Sequence, residues 1–155
     1  MAKELIVILI AASPLLELRG AIPLAVGLFD FPIFKAFILS FLGNILPIIP
    51  LIFFLEKFSD FLMKKSPFFD KIFNWLFNRT RRKIKRKFEI YRNLALVLFV
   101  AAPLPLTGAW TGAVAAYLFN INKKTAFLLL SLGVVIAGLI VTALTLSGIK
   151  IFNSF

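Results

Sequence analysis

The chain has 155 residues, 61% of them hydrophobic, with a mean hydropathy of +0.97 and a formal charge of +11. That composition describes an integral membrane protein with no soluble domain left over once its apolar segments are assigned. Cysteine and histidine are both absent, which excludes disulfides and thiol chemistry, argues against a zinc or haem site, and leaves no metal or cofactor to expect.

In chain order, Leu5 to Leu16 is an apolar run of about 12 residues. As helix it reaches roughly 18 Å, well short of a hydrocarbon core of about 30 Å. The N-terminus has almost no basic stretch and no small-residue cleavage pattern before Ser13, so this segment is expected to stay in the mature protein. Gly20 to Phe29 is a second short run, closed by the turn-like FDFP at Phe29 to Pro32. Phe34 to Leu55 is long enough to span, with Asn44, Pro47 and Pro50 placed to kink it or free carbonyls within it. Glu56 to Arg92 is charged, and after it Leu94 to Phe119 is uncharged but broken by PLPLTG at Pro103 to Gly108. Ala126 to Ile149 is a clean apolar span ended by Lys150.

The order repeats. FDFPIFKAFILSFLG, Phe29 to Gly43, falls on FNINKKTAFLLLSLG, Phe119 to Gly133, at a spacing of about 90 residues. Upstream, ASPLLELRGA corresponds to AAPLPLTGA with a small gap. The chain therefore reads as one membrane domain, 1–155, with repeat 1 at 1–55, a linker at 56–92 and repeat 2 at 93–155. Each repeat is a broken apolar hairpin, a short turn and a spanning helix.

The stretch SPLLELRGAIP, Ser13 to Pro23, places Glu17 and Arg19 inside the first hairpin. A charge at mid-membrane costs about 2.5 to 3.5 kcal/mol on insertion scales. In a non-helical turn between Pro14 and Pro23, relieved by Gly20, both charges face one cavity, and irregular backbone at that depth is tolerated where it lines such a cavity. The reading is a re-entrant hairpin with a polar tip. The competing reading is one tilted helix, Glu4 to Phe29, with Glu17 and Arg19 paired to each other or to a neighbour.

PLLELRGAIPLAVG followed by APLPLTGAWTGA resembles the small multidrug export family of prokaryotic membrane proteins, which looks like a remote branch of the DedA superfamily. The resemblance covers nearly the whole chain. It implies an all-α fold of two inverted repeats, each a re-entrant helical hairpin plus a transmembrane helix, with the hairpin tips meeting near the midplane. It also implies a multi-pass protein of a prokaryotic plasma membrane. DedA-like proteins are associated with proton-motive-force-dependent movement of lipid carriers such as undecaprenyl phosphate. Glu17 and Arg19 match the first motif; Pro103, Pro105, Thr107, Gly108 and Trp110 match the second. DedA proteins proper carry arginines in the second half, whereas the second hairpin here offers Thr107 and Thr111, which weakens a two-arginine phosphate clamp.

From the residues themselves, Gly108 and Gly112 stand four apart, a spacing that lets backbones approach closely in lipid. The functional alternative is that the Thr107 and Thr111 hydroxyls, with exposed amides at the Pro105 to Gly108 break, complete a site facing Arg19, capped by Trp110. In the linker, Ser66 as N-cap, Pro67 at the first helical position, and Phe69, Ile72, Phe73 and Leu76 predict an interfacial amphipathic helix. Arg79, Arg81, Arg82, Lys83, Lys85, Arg86 and Lys87 would then sit against anionic headgroups. Membrane tethering on both sides argues against nucleic acid as the partner of this charge, and the small size of the chain predicts self-association.

The positive-inside rule places the linker in the cytoplasm, but re-entrant hairpins and four ordinary spans each gather about 14 basic residues on one face. Three function classes follow. The first, and the preferred one, is a translocator of a lipid phosphate or other anion, with Arg19 on the headgroup and Glu17 carrying a proton, since a basic neighbour in the membrane argues against Glu17 as a cation site. The second is a proton-coupled exporter of small amphipathic cations bound by Glu17. The third is a structural membrane protein with a buried Glu17–Arg19 pair. An enzyme is not expected, since no clustered carboxylate set supports acid–base chemistry.

Overall fold

The computed structural model describes residues 2–65, 67, 71–72, 74–75, 86–104 and 107–152. Among them the regular structure is helical. Helix α1, Ala2–Ala12, ends where Ser13 Oγ donates to the Ile10 carbonyl at 2.7 Å and Pro14 supplies no amide. After the turn at Ser13 to Leu16, α2 runs over Glu17–Gly27 and α3 over Ile33–Ile45. Leu46 and Pro47 interrupt the chain before α4, Ile48–Lys65. The second half holds α5, Arg86–Ala101, then α6, Ala109–Leu118, and α7, Lys123–Phe152. Each half thus places two short helices before a long apolar path.

The long paths are Ile33–Phe58, 26 residues, and Lys123–Ile151, 29 residues, both long and apolar enough to cross a membrane. At 1.5 Å per residue they reach roughly 39 and 44 Å, beyond a hydrocarbon core of about 30 Å. The short helices reach less than that. Inside, alanines such as Ala11, Ala21, Ala36, Ala109 and Ala113 are buried beside branched residues such as Ile22, Ile48, Val100 and Leu130. Outside stand Leu5, Leu9, Phe34, Phe54, Leu128, Leu139 and Leu144, each at least half exposed. A shell of large exposed apolar residues is the arrangement of a membrane protein, because lipid replaces water as the outer contact.

The two long paths and four short helices are interlocked. Helices α1 and α2 pack on each other and on α3; α5 and α6 pack on α7; α2 also packs on α7, and α6 on α4. Gly43 sets the first of these contacts, since a Cβ there would meet the Ile8 carbonyl at 2.5 Å; Gly133 sets its counterpart against Val100 at 2.7 Å. The turn after the second short helix also recurs, with Asp30 and Asn120 both in left-handed backbone at φ 53° and 52°.

The ends of the molecule are marked by polar contacts. At one end Lys35, from the start of α3, pairs with Glu4 of α1 at 2.7 Å, and Lys3 lies over the Phe29 ring at 5.5 Å. The first hairpin therefore returns to the end from which it set out. At the other end Lys123 pairs with Glu56 and lies over the Phe53 ring, while Arg92 of α5 donates to the Phe119 carbonyl after α6. The second hairpin likewise returns to its own end.

The composition boundaries at 55/56 and 92/93 do not coincide with helix ends. Helix α4 continues through Glu56 to Lys65 and α5 begins at Arg86, because charged side chains are compatible with helical backbone and mark only where the surroundings become polar. Pro67, Lys71, Ile72, Asn74 and Trp75 are helical, with Ile72 and Trp75 exposed. Ser66, Phe69, Phe73, Leu76, Arg79, Arg81, Arg82, Lys83 and Lys85 lie outside the described residues, as do the side chains of Arg86 and Lys87.

Candidate functional site

In the second half the described residues 102–104 and 107–108 are non-helical, which leaves carbonyls after α5 outside helical bonding and free amides at the start of α6. The first hairpin supplies a charge to each. Arg19 Nη2 donates to the Thr107 carbonyl at 2.7 Å, to Thr107 Oγ1 at 2.9 Å and to the Ala102 carbonyl at 3.2 Å, and Nη1 donates to the Leu104 carbonyl. Thr107 Oγ1 also lies 2.7 Å from the carbonyls of Ala102 and Leu104, and donates its one proton there. A cation thus meets the carbonyl end of α5.

Glu17 takes the opposite pole. It opens α2 in left-handed backbone at φ 49° and is only 6% exposed. Its carboxylate faces the start of α6, where the Trp110 amide approaches Oε1 at 3.5 Å and the Ala109 amide is adjacent. Gly108, at φ 135°, is pressed against the same carboxylate. An anion at the N-terminus of a helix sits in the favourable part of its dipole field. Among the described residues Glu17 and Arg19 form no ion pair with each other. Of the competing reading, which paired them with each other or with a neighbour, the mutual pair is absent and the neighbours are present: two residues apart at the start of α2, they diverge to the two ends of the break.

A cavity of about 210 Å³ opens beside them, lined by Pro14, Leu15, Glu17, Arg19, Thr107, Trp110 and Thr111. All five residues expected to form a binding site, Glu17, Arg19, Thr107, Trp110 and Thr111, line this one space. Trp110 is anchored by its ring nitrogen, which donates to the Ala12 carbonyl at 3.2 Å, so the indole ties α6 to the end of α1. Thr111 Oγ1 sits 3.4 Å from the Gly108 carbonyl.

Other tip residues are distributed differently. The first break is residues 13–16, so Pro14 belongs to it, whereas Gly20 and Pro23 lie within α2. This corrects the expected non-helical stretch from Pro14 to Pro23. Pro23 withholds one amide, a local loss that packing of α2 against α1, α3 and α7 outweighs. Gly112 is a packing position, where a Cβ would meet Val100 at 2.5 Å and Leu130 at 2.7 Å. Pro103 lines a separate groove along α7, and Pro105 lies outside the described residues.

Sequence reasoning passed over Asn44 and Ser40 as site residues. Both are fully buried on α3. Asn44 approaches the Glu17 carboxylate, although neither of its amide atoms reaches hydrogen-bond geometry. The available signal was a polar amide inside an otherwise apolar span, which is costly unless it serves a contact. Among the described residues no cluster of three or more metal-ligating side chains is present.

The arrangement is a cavity with an acidic and a basic side chain, an indole and two hydroxyls on its wall, able to hold a small polar ligand or a proton. No curated relative and no solved structure matches the chain. Residues 17–140 match the family described as "Putative small multi-drug export protein". The match opens on Glu17 at the start of α2 and runs through the second hairpin into α7, covering most of the sequence, and the chain belongs to that small multi-drug export family.

Proposed function

We propose that this protein is a proton-coupled exporter of small amphipathic cations, with the Glu17 cavity as the site shared by substrate and proton. One observation carries the reading: Glu17 is buried and lines a cavity of about 210 Å³, and among the described residues no cation, Arg19 included, lies within ion-pair distance of it. Arg19, the nearest cation, is engaged by three backbone carbonyls and the Thr107 hydroxyl, which leaves fewer donors for an anionic substrate. A carboxylate beside an indole suits an organic cation, which gains both ion pairing and attraction to the ring face. Protonation of Glu17 would release that cation, and the family description supports export.

In this reading the two halves are inverted repeats, and α1–α2 and α5–α6 are re-entrant hairpins whose tips meet within the membrane. The linker faces the cytoplasm of a prokaryotic cell, and the exposed apolar surface contacts lipid and a second copy of the chain. The return of each hairpin to its own end supports this arrangement.

A second reading, translocation of a lipid phosphate in the manner of DedA proteins, is favoured by the place of Arg19 on the cavity wall and by the basic linker. Purified protein in liposomes separates the two. A proton gradient should drive a cationic dye across the bilayer, and Glu17→Gln should abolish that movement while the protein remains folded. Protein that ignores the dye and instead flips a lipid monophosphate, with Arg19→Gln reducing the flipping, would establish the second reading in place of the first.

A further inference from the structure

Away from the Glu17 cavity, a groove of about 420 Å³ runs between α5 and α6. Its walls are apolar except at one end, where Arg92 and Tyr91 stand; Ala95, Phe99, Ala115 and Phe119 form most of the rest. The Arg92 guanidinium has five N–H donors. Nη1 donates to the Phe119 carbonyl at 3.2 Å and Nη2 reaches Asn93 Oδ1 at 3.5 Å; Nε is buried without a partner, so the donors left for a ligand are the second protons of the two Nη atoms. Among the described residues no carboxylate pairs with it. Arg92 is also at the end of the molecule that carries Lys123, and the basic run Arg79 to Lys87 precedes it in the chain.

We propose that this groove binds an anionic glycerophospholipid, its phosphodiester on Arg92 and one acyl chain along Ala95, Phe99 and Phe119. Charge complementarity selects the headgroup. Arginine presents a planar fork of donors that matches phosphate oxygens, and it keeps spare donors here. The apolar walls select the tail, because a free phosphate would gain nothing from Phe99, seven residues further along α5. The Arg92 end is the polar end, so the lipid stands with its headgroup toward the basic face and its tail toward the hairpin tips. Its binding would brace α5 against α6, the two helices of the second hairpin. The groove shares no lining residue with the Glu17 cavity, so the inference stands apart from the export reading.

Native mass spectrometry of the full chain from detergent tests this with phosphatidylglycerol and phosphatidylcholine of identical acyl chains, at salt high enough to screen the linker. The wild type should retain one phosphatidylglycerol with about tenfold preference over phosphatidylcholine, the scale of a charge-assisted hydrogen bond. Arg92→Gln should bring the two lipids to equal retention. Ala95→Trp, at an exposed position that needs no repacking of the core, should lower retention of phosphatidylglycerol with Arg92 still in place. Undiminished preference in Arg92→Gln would overturn the headgroup site, and undiminished retention in Ala95→Trp would overturn the groove. Displacement by soluble glycerol phosphate at equal concentration would overturn the requirement for a lipid tail, and preference for a free fatty acid over phosphatidylglycerol would overturn the phosphodiester.

Discussion

Gly108 lies against the carboxylate of Glu17 so closely that no side-chain carbon fits between them. The contact joins the first residue of α2 to the cap of α6 across the break that separates the two short helices of the second half.

Gly108→Ala should therefore destabilise the protein twice over. Its φ of 135° is strained for any residue with a Cβ, a cost of about 1 to 3 kcal/mol, and the new methyl must displace the Glu17 carboxylate. Thermal unfolding in detergent should show a lowered midpoint for Gly108→Ala and little change for Gly27→Ala, where nothing lies within 4 Å. In a Glu17→Ala background the penalty should shrink toward the backbone strain alone. An equal penalty in both backgrounds would mean the carboxylate is not held there.

Arg19 predicts a graded series. Removing its guanidinium leaves the Thr107 carbonyl without a donor, at about 1 to 3 kcal/mol if no water reaches it, and weakens the bonding of the Ala102 and Leu104 carbonyls, which keep the amides of Leu104 and Thr107. Thr107→Val removes one side-chain acceptor and leaves the backbone carbonyl in place, a loss of about 1 kcal/mol. Arg19→Lys keeps the charge but cannot fork across three acceptors, so it should fall nearer to Arg19→Ala than to wild type. Unfolding midpoints in that order would establish Arg19 as the brace of the second hairpin. A Thr107→Val loss as large as that of Arg19→Ala would reassign the brace to the threonine.

How much of this was legible depended on periodicity and on polar residues out of place. Gly43 and Gly133 fell on each other in the sequence repeat, and both are points where a long helix touches the first helix of its own hairpin. Glu17, Arg19, Thr107, Trp110 and Thr111 could be grouped because charge and hydroxyl in an apolar segment need a shared space, and they do line one cavity. What Arg19 binds was not legible. Its acceptors are the carbonyls of Ala102, Leu104 and Thr107, and a carbonyl is present at every position, so sequence carries no mark of the free ones. The extent of the first break was misjudged for a related reason. Pro23 reads as a helix breaker, yet α2 passes through it because three neighbouring helices hold its flanks.

Glu4 and Lys35 give a pH prediction at the end of the molecule. Lys35 holds the Glu4 carboxyl down from 4.5 to about 2. A carboxyl lowered on folding stabilises the folded state above its unfolded value, and that contribution is lost as pH falls through the folded value. The gap in unfolding midpoint between wild type and Glu4→Gln should thus be constant near neutral pH and close between pH 4.5 and about 2. The gap should be small, since both side chains are partly exposed and such pairs are screened by solvent. A gap that widens on acidification would reverse the sign and exclude the ion pair as its source.

The last prediction concerns the side of the membrane on which each helix end lies. Helix α1 has 11 residues, roughly 16 Å of rise, and cannot cross a hydrocarbon core of about 30 Å. Its start is tied to the start of α3 by Glu4 and Lys35, and the end of α2 shares a groove with the C-terminal part of α7, with Gly27, Gly148 and Ile149 among its lining. The start of α7 is fixed to the far part of α4 by Lys123 and Glu56. Single cysteines at Lys3 and Ile151 should accordingly react with an impermeant thiol reagent from one side of the membrane, and a cysteine at Lys124 from the other. The native chain has no cysteine, so each label reports one position. Four ordinary spans, the first of them Glu4 to Phe29, place Lys3 and Ile151 opposite Lys124 as well but put the linker on the Lys3 side, so a cysteine at Lys57 separates the models: re-entrant hairpins place it on the Lys124 side. A further cysteine at Leu15 reports the tip: a re-entrant hairpin leaves Leu15, 92% exposed within the chain, at mid-depth and slow to react from either face, whereas a first hairpin of two full crossings would carry it to the surface on the Lys124 side. Rapid labelling of Leu15→Cys from that side would overturn the re-entrant first hairpin.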